Sequence, residues 1–182
     1  MIHNILPPDL QIDILLLLSP IDLLNICQTN HHFHSLCQNH PRLNQHFGHL
    51  TNLYFGIDRL HGNNWYQTFL TIYNDLNRTA NRLINLLPVM ESRYLNRKEI
   101  RKDLINDLQH GLLYINTNLI YSGLSKEIIY KRLEVGIAQR LILLNDNKFD
   151  MRNDLLYYWN DHRNNKIITQ IQQTLDKYVK TP

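Results

Sequence analysis

The sequence predicts an all-α protein: short helices at the amino-terminal end, followed by a helical bundle or irregular helical array. Three observations carry this expectation. Gly and Pro number only 6 each, too few turn residues for the many tight hairpins of a sandwich or barrel. Apolar residues recur at spacings of three and four over long stretches, the period of a helix packed on one side. Apolar residues make up 43% of the chain and charged residues 19%, with both signs mixed, which is the composition of a chain that builds a core.

A chain of 182 residues fills one sizeable core, or one small module plus a helical remainder. We expect the second arrangement, with a module over residues 1–50 and a helical domain over residues 51–182. In the module, Leu6-Pro7-Pro8-Asp9 opens a first helix, with proline at the first helical position and an acid near the positive end of the dipole. That helix is expected to reach about Leu18. Ser19-Pro20-Ile21-Asp22 then restarts the chain with Ser19 as N-cap, and Leu23, Leu24 and Ile26 follow on a second helix. A third begins after Asn30, carries Phe33 and Leu36, and stops at His40-Pro41, because the residue before proline resists helical geometry. A fourth, short helix brings Leu43, Phe47 and Leu50 to one side.

From Asn64 onward the helices lengthen. Trp65, Phe69, Ile72, Leu76, Ala80, Leu83 and Leu87 form one apolar stripe before Pro88. Asn96 and Glu99 form a capping pair for a helix through Ile100, Leu104, Leu108, Leu112 and Ile115, which bends near Gly123. Ser125 caps another, through Ile128, Ile129, Leu133, Ile137, Leu141 and Leu144, placed at the centre of the domain. A further helix is expected around Leu155, Leu156 and Trp159, and a last one through Ile167, Ile168, Ile171, Leu175, Tyr178 and Val179.

Several function classes have no support in these residues. The formal charge is +3 with a pI near 8.9, and the basic residues do not gather in one arm, so nucleic acid is not an expected partner. The longest aliphatic run, residues 14–18, is far below the ~20 residues needed to span a bilayer. The start of the chain lacks a basic region and small-residue cleavage site, so a cytoplasmic or nuclear location is expected. Two cysteines are too few for a disulfide framework, which agrees with a reducing compartment.

Cys27, His31, His34 and Cys37 are all possible zinc ligands, but on a continuous helix they would span about 15 Å, and no paired-cysteine knuckle is present. They are expected instead as solvated histidines and two small buried thiols. No metal and no cofactor are expected. No phosphate loop, nucleophile elbow or His-Glu-x-x-His helix occurs, so the chain is not expected to be an enzyme. The basic stretch at residues 93–102 contains Glu99 among its cations at helical spacing, and is expected as a solvated helix face. Trp65 and Phe69 are assigned to the core stripe.

One string remains. Leu6-Pro7-x-Asp9-Leu10, then Ile14-Leu15, Leu18, Ser19-Pro20-x-Asp22-Leu23-Leu24 and Phe33-x-x-Leu36, resembles the F-box without a gap over about residues 5–47. Two positions depart from the family's pattern: the Val-Cys pair often found before the third helix is Thr29-Asn30, and the closing Leu-Trp is Leu43-Asn44. Thr29-Asn30, with Phe33 and Leu36-Cys37, resembles F-box proteins of large DNA viruses, which implies action in a host cell.

The resemblance implies three packed helices that bind the Skp adaptor of a cullin-type ubiquitin ligase. The chain would then be a substrate receptor that tethers an unknown target protein and does no chemistry itself. The residues it points to for adaptor contact are Leu6, Pro7, Ile14, Leu15, Leu18, Pro20, Leu23 and Phe33. Residues 14–18 are apolar all round the helix, more hydrocarbon than a small module can bury, which independently asks for a partner. Two alternatives stay open: a Skp-binding decoy or structural subunit without cullin, and a helical nucleic-acid-binding protein.

Overall fold

The computed structural model describes residues 6–86, 97–121 and 162–180. Seven helices occupy them: α1 Pro8–Leu16, α2 Pro20–Thr29, α3 His31–Asn39, α4 Pro41–Phe55, α5 Trp65–Leu86, α6 Arg97–Tyr121 and α7 His162–Asp176. No strand occurs among the described residues, so the fold is all-α. The helices expected through Ile128 to Leu144 and around Trp159 lie outside the described residues, as do Leu87, Asn96, Gly123 and the stretch 93–96.

The expected punctuation is present. Pro8, Pro20 and Pro41 stand at the starts of α1, α2 and α4, where the missing N–H costs nothing and φ is preset. Ser19 Oγ accepts from Asp22 N at 3.2 Å and donates to Asp22 Oδ2 at 2.6 Å. Asn30 Oδ1 accepts from His32 N at 2.8 Å. α1 ends two residues earlier than expected: Leu17 and Leu18 close it with three-residue bonds to the carbonyls of Ile14 and Leu15. α4 is longer than expected and stops at Gly56, whose φ of 62° suits a residue without Cβ.

The chain divides into two compact units, Met1–Tyr73 and Asn74–Pro182. In the first, α2 packs on α3, and α1 and α3 pack on α4, over Ile12, Leu15, Leu23, Leu24, Leu43 and Phe47. Aromatic rings extend this core: Phe47 lies against Tyr66 and Phe69, and Phe55 against Phe69, with centroids 5.1–5.6 Å apart. Trp65 is only half-buried; Tyr66 takes the interior place beside Phe69. The indole of Trp65 covers Gly48 so closely that a Cβ there would meet it at 3.0 Å.

The second unit has an aliphatic core. Leu76, Ala80 and Leu83 of α5, Ile100, Leu104, Leu108, Leu112 and Ile115 of α6, and Ile171 and Leu175 of α7 are all buried. Two polar contacts fix α7 beside α5. Thr79 and Thr174 share a buried hydroxyl pair at 2.8 Å, and Tyr178 donates to Asp75 Oδ2 at 2.7 Å. No described helix is long and apolar enough to cross a membrane.

Cys27 and Cys37 are joined to each other, which corrects the expectation of two free thiols. The cause is the turn at Asn30, which folds α3 back on α2 and brings the two Cα atoms to 6.0 Å, within bridging range. The argument for a reducing compartment from unpaired cysteines therefore loses its basis. Among the described residues no three His, Cys, Asp or Glu side chains group as metal ligands.

Candidate partner-docking site

α1 is hydrophobic on both faces, and the fold uses only one of them. Ile12 and Leu15 are buried, while Leu10 (49% exposed), Ile14 (48%) and Leu17 (86%) are open. The spacing 10, 14, 17 is that of one helical face, and Ile21 is exposed (46%) on the next helix. Four large exposed aliphatic side chains within twelve residues are a concentration of open hydrocarbon that usually marks a contact surface. Pro7 is exposed beside them, and Leu6, Leu18 and Pro20 are half-buried at the edges.

The row is held rigidly from behind by one buried amide. The Leu6 carbonyl can only accept, so it takes a hydrogen bond from Gln11 Nε2 at 2.8 Å. That leaves Gln11 Oε1 to accept from His32 Nε2 of α3, also at 2.8 Å. Gln11 thus ties the entry of α1 to α3. On the outer side Arg42 of α4 pairs with Asp13 of α1 at 2.8 Å. An amide at position 11 is also what keeps the helix's buried side from being wholly apolar, a feature the sequence pattern did not single out.

The sequence-derived set separates on this surface. Pro7 and Ile14 are exposed, and Leu6, Leu18, Pro20 and Phe33 are half-buried. Leu15 (2% exposed) and Leu23 (0%) lie inside the module and offer nothing to a partner while it stays folded. Leu10, Leu17 and Ile21 are exposed instead and were not singled out. Because residues 14–18 are apolar all round, periodicity could not say which of them face outward; only the packing of α1 does.

Both departures from the family pattern have local structural work. Asn30 is the N-cap of α3, as above, and Thr29 Oγ1 donates to the Ile26 carbonyl at 3.2 Å. Asn44, where the pattern has Trp, caps α5: its Oδ1 accepts from Trp65 N at 2.8 Å and Tyr66 N at 3.4 Å. Asn64 and Gln67 complete that cap reciprocally, Asn64 N donating to Gln67 Oε1 at 3.1 Å and Gln67 N to Asn64 Oδ1 at 2.8 Å. The end of the module is therefore locked to the next helix by an amide and not by an indole.

The titratable groups around the module are ordinary in kind. Burial, and then the neighbouring charge of His49, push the His46 imidazole below its usual range. Burial raises the Tyr66 phenol, whose oxygen lies 3.3 Å from His34 Nδ1. Neither faces the row on α1.

Residues 4–45 match the family model of the F-box domain. No curated protein matches the chain, and no solved structure does. The likeness to viral F-box proteins therefore has no relative behind it and rests on Thr29, Asn30, Phe33, Leu36 and Cys37 alone.

Proposed function

We propose, from the premise of an F-box domain at residues 4–45, that this chain docks onto the Skp adaptor of a cullin-type ubiquitin ligase and that the rest of it tethers a target protein. The observation that carries the proposal is the exposure of Leu10, Ile14 and Leu17, and of Ile21 on the next helix, within the matched segment. Leu6, Pro7, Leu18, Pro20 and Phe33 border it; Leu15 and Leu23 support it from inside. In this reading the chain does no chemistry. It raises the concentration of a bound target beside the ubiquitin-loaded enzyme that the cullin recruits.

The test is co-purification of the whole chain with the Skp adaptor and cullin, beside an Ile14→Asp, Leu17→Asp double variant. Both positions are exposed, so the variant keeps its helix content, and a change at Leu15 would test the fold instead. A docking face of about 1,600 Å² with central aliphatic anchors loses several kcal/mol when two of them become charged. Wild type should retain both partners and the folded variant neither. Retention of the adaptor without cullin would make the chain a decoy or structural subunit. Failure of folded wild type to retain the adaptor would overturn the proposal.

A further inference from the structure

The second unit carries a surface of the opposite chemistry. The Asp75–Tyr178 and Thr79–Thr174 contacts set α5 and α7 antiparallel, because an advance of four residues on α5 meets a retreat of four on α7. The same register brings Arg82 level with Ile171, next to Gln170. A groove of about 490 Å³ runs along this pair, lined by Arg82, Lys166, Thr169, Gln170, Gln173 and Lys177 among others, with no carboxylate among the described residues of its wall. Lys177 is already drawn to Asp75 at 3.3 Å. Arg82 and Lys166 form no ion pair with any described residue.

We infer that this groove holds an acidic peptide segment, a stretch of about five extended residues carrying two or three carboxylates. Lys166 lies on α7 and Lys177 in the turn just after its end, eleven residues on, roughly 16 Å at about 1.5 Å per residue, which an extended chain covers in about five residues at about 3.3 Å each. Arg82 reaches the middle of that span from the other helix. The side chains between the cations decide the ligand class. The amides of Gln170 and Gln173 both donate and accept, matching peptide N–H and C=O groups together, whereas a phosphate backbone offers acceptors alone. Three cations over 16 Å are also few for a nucleic-acid track. The inference rests on the receptor reading for its biological sense, since it names the kind of target segment that would be tethered, but the groove stands independently of the F-box.

The experiment uses the whole chain and fluorescence anisotropy at low salt with three labelled probes: a peptide of alternating Glu and Ser, the same peptide with Gln in place of Glu, and a single-stranded oligothymidylate of equal charge. The Glu peptide should bind and the Gln peptide should not. Arg82→Glu with Lys166→Glu should weaken binding about tenfold or more, while Arg101→Glu with Lys102→Glu, an equal charge change outside the groove, should leave it nearly unchanged. All of these positions lie at or near the surface, so helix content stays as in wild type. Equal binding of the Gln peptide, equal loss in both double variants, no binding of the Glu peptide, or tighter binding of the oligothymidylate would each overturn the inference. Adaptor retention is scored on the wild-type chain: no binding of the Glu peptide with the adaptor still held sinks the groove alone, and peptide binding without adaptor retention sinks the F-box reading alone.

Discussion

The two units of this chain present different chemistry to their surroundings. Only Arg42 and Arg59 of the 19 Lys and Arg residues precede Asn74, whereas eight of the 10 histidines do. The first unit shows a line of bare aliphatic side chains on α1 and α2; the second shows a groove walled by cations and amides. Their interiors differ too: phenyl and phenol rings join the aliphatic core of the first, whereas the described buried residues of the second are mostly Leu, Ile and Ala. The first unit exposes hydrocarbon, and the second exposes cations and amides. The basic residues, expected to be spread along the chain, are in fact partitioned at a boundary that the sequence did not reveal.

The sharpest way to break this comparison lies inside the first unit, between two leucines of one helix end, Leu15 and Leu17. Leu15→Asp puts a carboxylate into the apolar interior of the first unit, where Leu15 is 2% exposed, and should cost about 4 kcal/mol or more. Leu17→Asp, 86% exposed before the change, should shift stability by only about 0.5 kcal/mol. Denaturant unfolding separates the two. If both variants are equally destabilised, the row on α1 is not a free surface and the docking proposal fails with it.

A smaller effect comes from the disulfide. In a chain-entropy account, closing a loop of ten residues between Cys27 and Cys37 stabilises by about 3 kcal/mol. Replacing both cysteines with Ala should therefore loosen the first unit and leave the second unchanged. Peptide-resolved hydrogen exchange is the measurement: protection over Pro20–Asn39 should fall while that over α6 holds. Loss of protection in α6 as well would mean that the two units unfold as one.

How much of this was legible in the sequence follows from what each signal reports. Caps and proline stops are local chemistry, so Ser19, Asn30 and His40-Pro41 marked their helix boundaries correctly. Long stripes are also local, and the burial of Ile72, Leu76, Ala80, Leu83 and Leu104 follows from period alone. Residues 14–18 carry no such period, because every position is apolar, and so Leu15 and Leu17 could not be told apart. The Cys27–Cys37 bridge needed the fold-back at Asn30, and the α5–α7 groove needed partners 95 and 103 residues apart in the chain to meet. Gly56 was readable as a helix stop in principle, since a glycine after Tyr54-Phe55 is a frequent left-handed cap.

The smallest predicted effect concerns the contact that sets the register of the groove. Asp75 is only 15% exposed and accepts from Tyr178, with Lys177 and Arg78 at 3.3 and 3.0 Å. Burial alone would raise its carboxyl, but the hydrogen bonds from Tyr178 and Lys177 and the charges of Lys177 and Arg78 outweigh burial and hold it below its ordinary 3.8. Burial and the same carboxylate push the Tyr178 phenol upward. A carboxyl whose pKa is lowered on folding stabilises the folded state at pH above its unfolded value, and that stabilisation fades as pH falls from 3.8 through the depressed folded value. Asp75→Asn keeps an acceptor for Tyr178 and loses the charge, which exposed partners screen, so the cost at neutral pH should be about 1 kcal/mol. The gap between wild type and variant, followed by urea unfolding across pH, should close in acid. A gap that persists to the lowest pH would mean that Asp75 acts through its shape and hydrogen bond alone, and that the cationic side of the second unit is not organised by it.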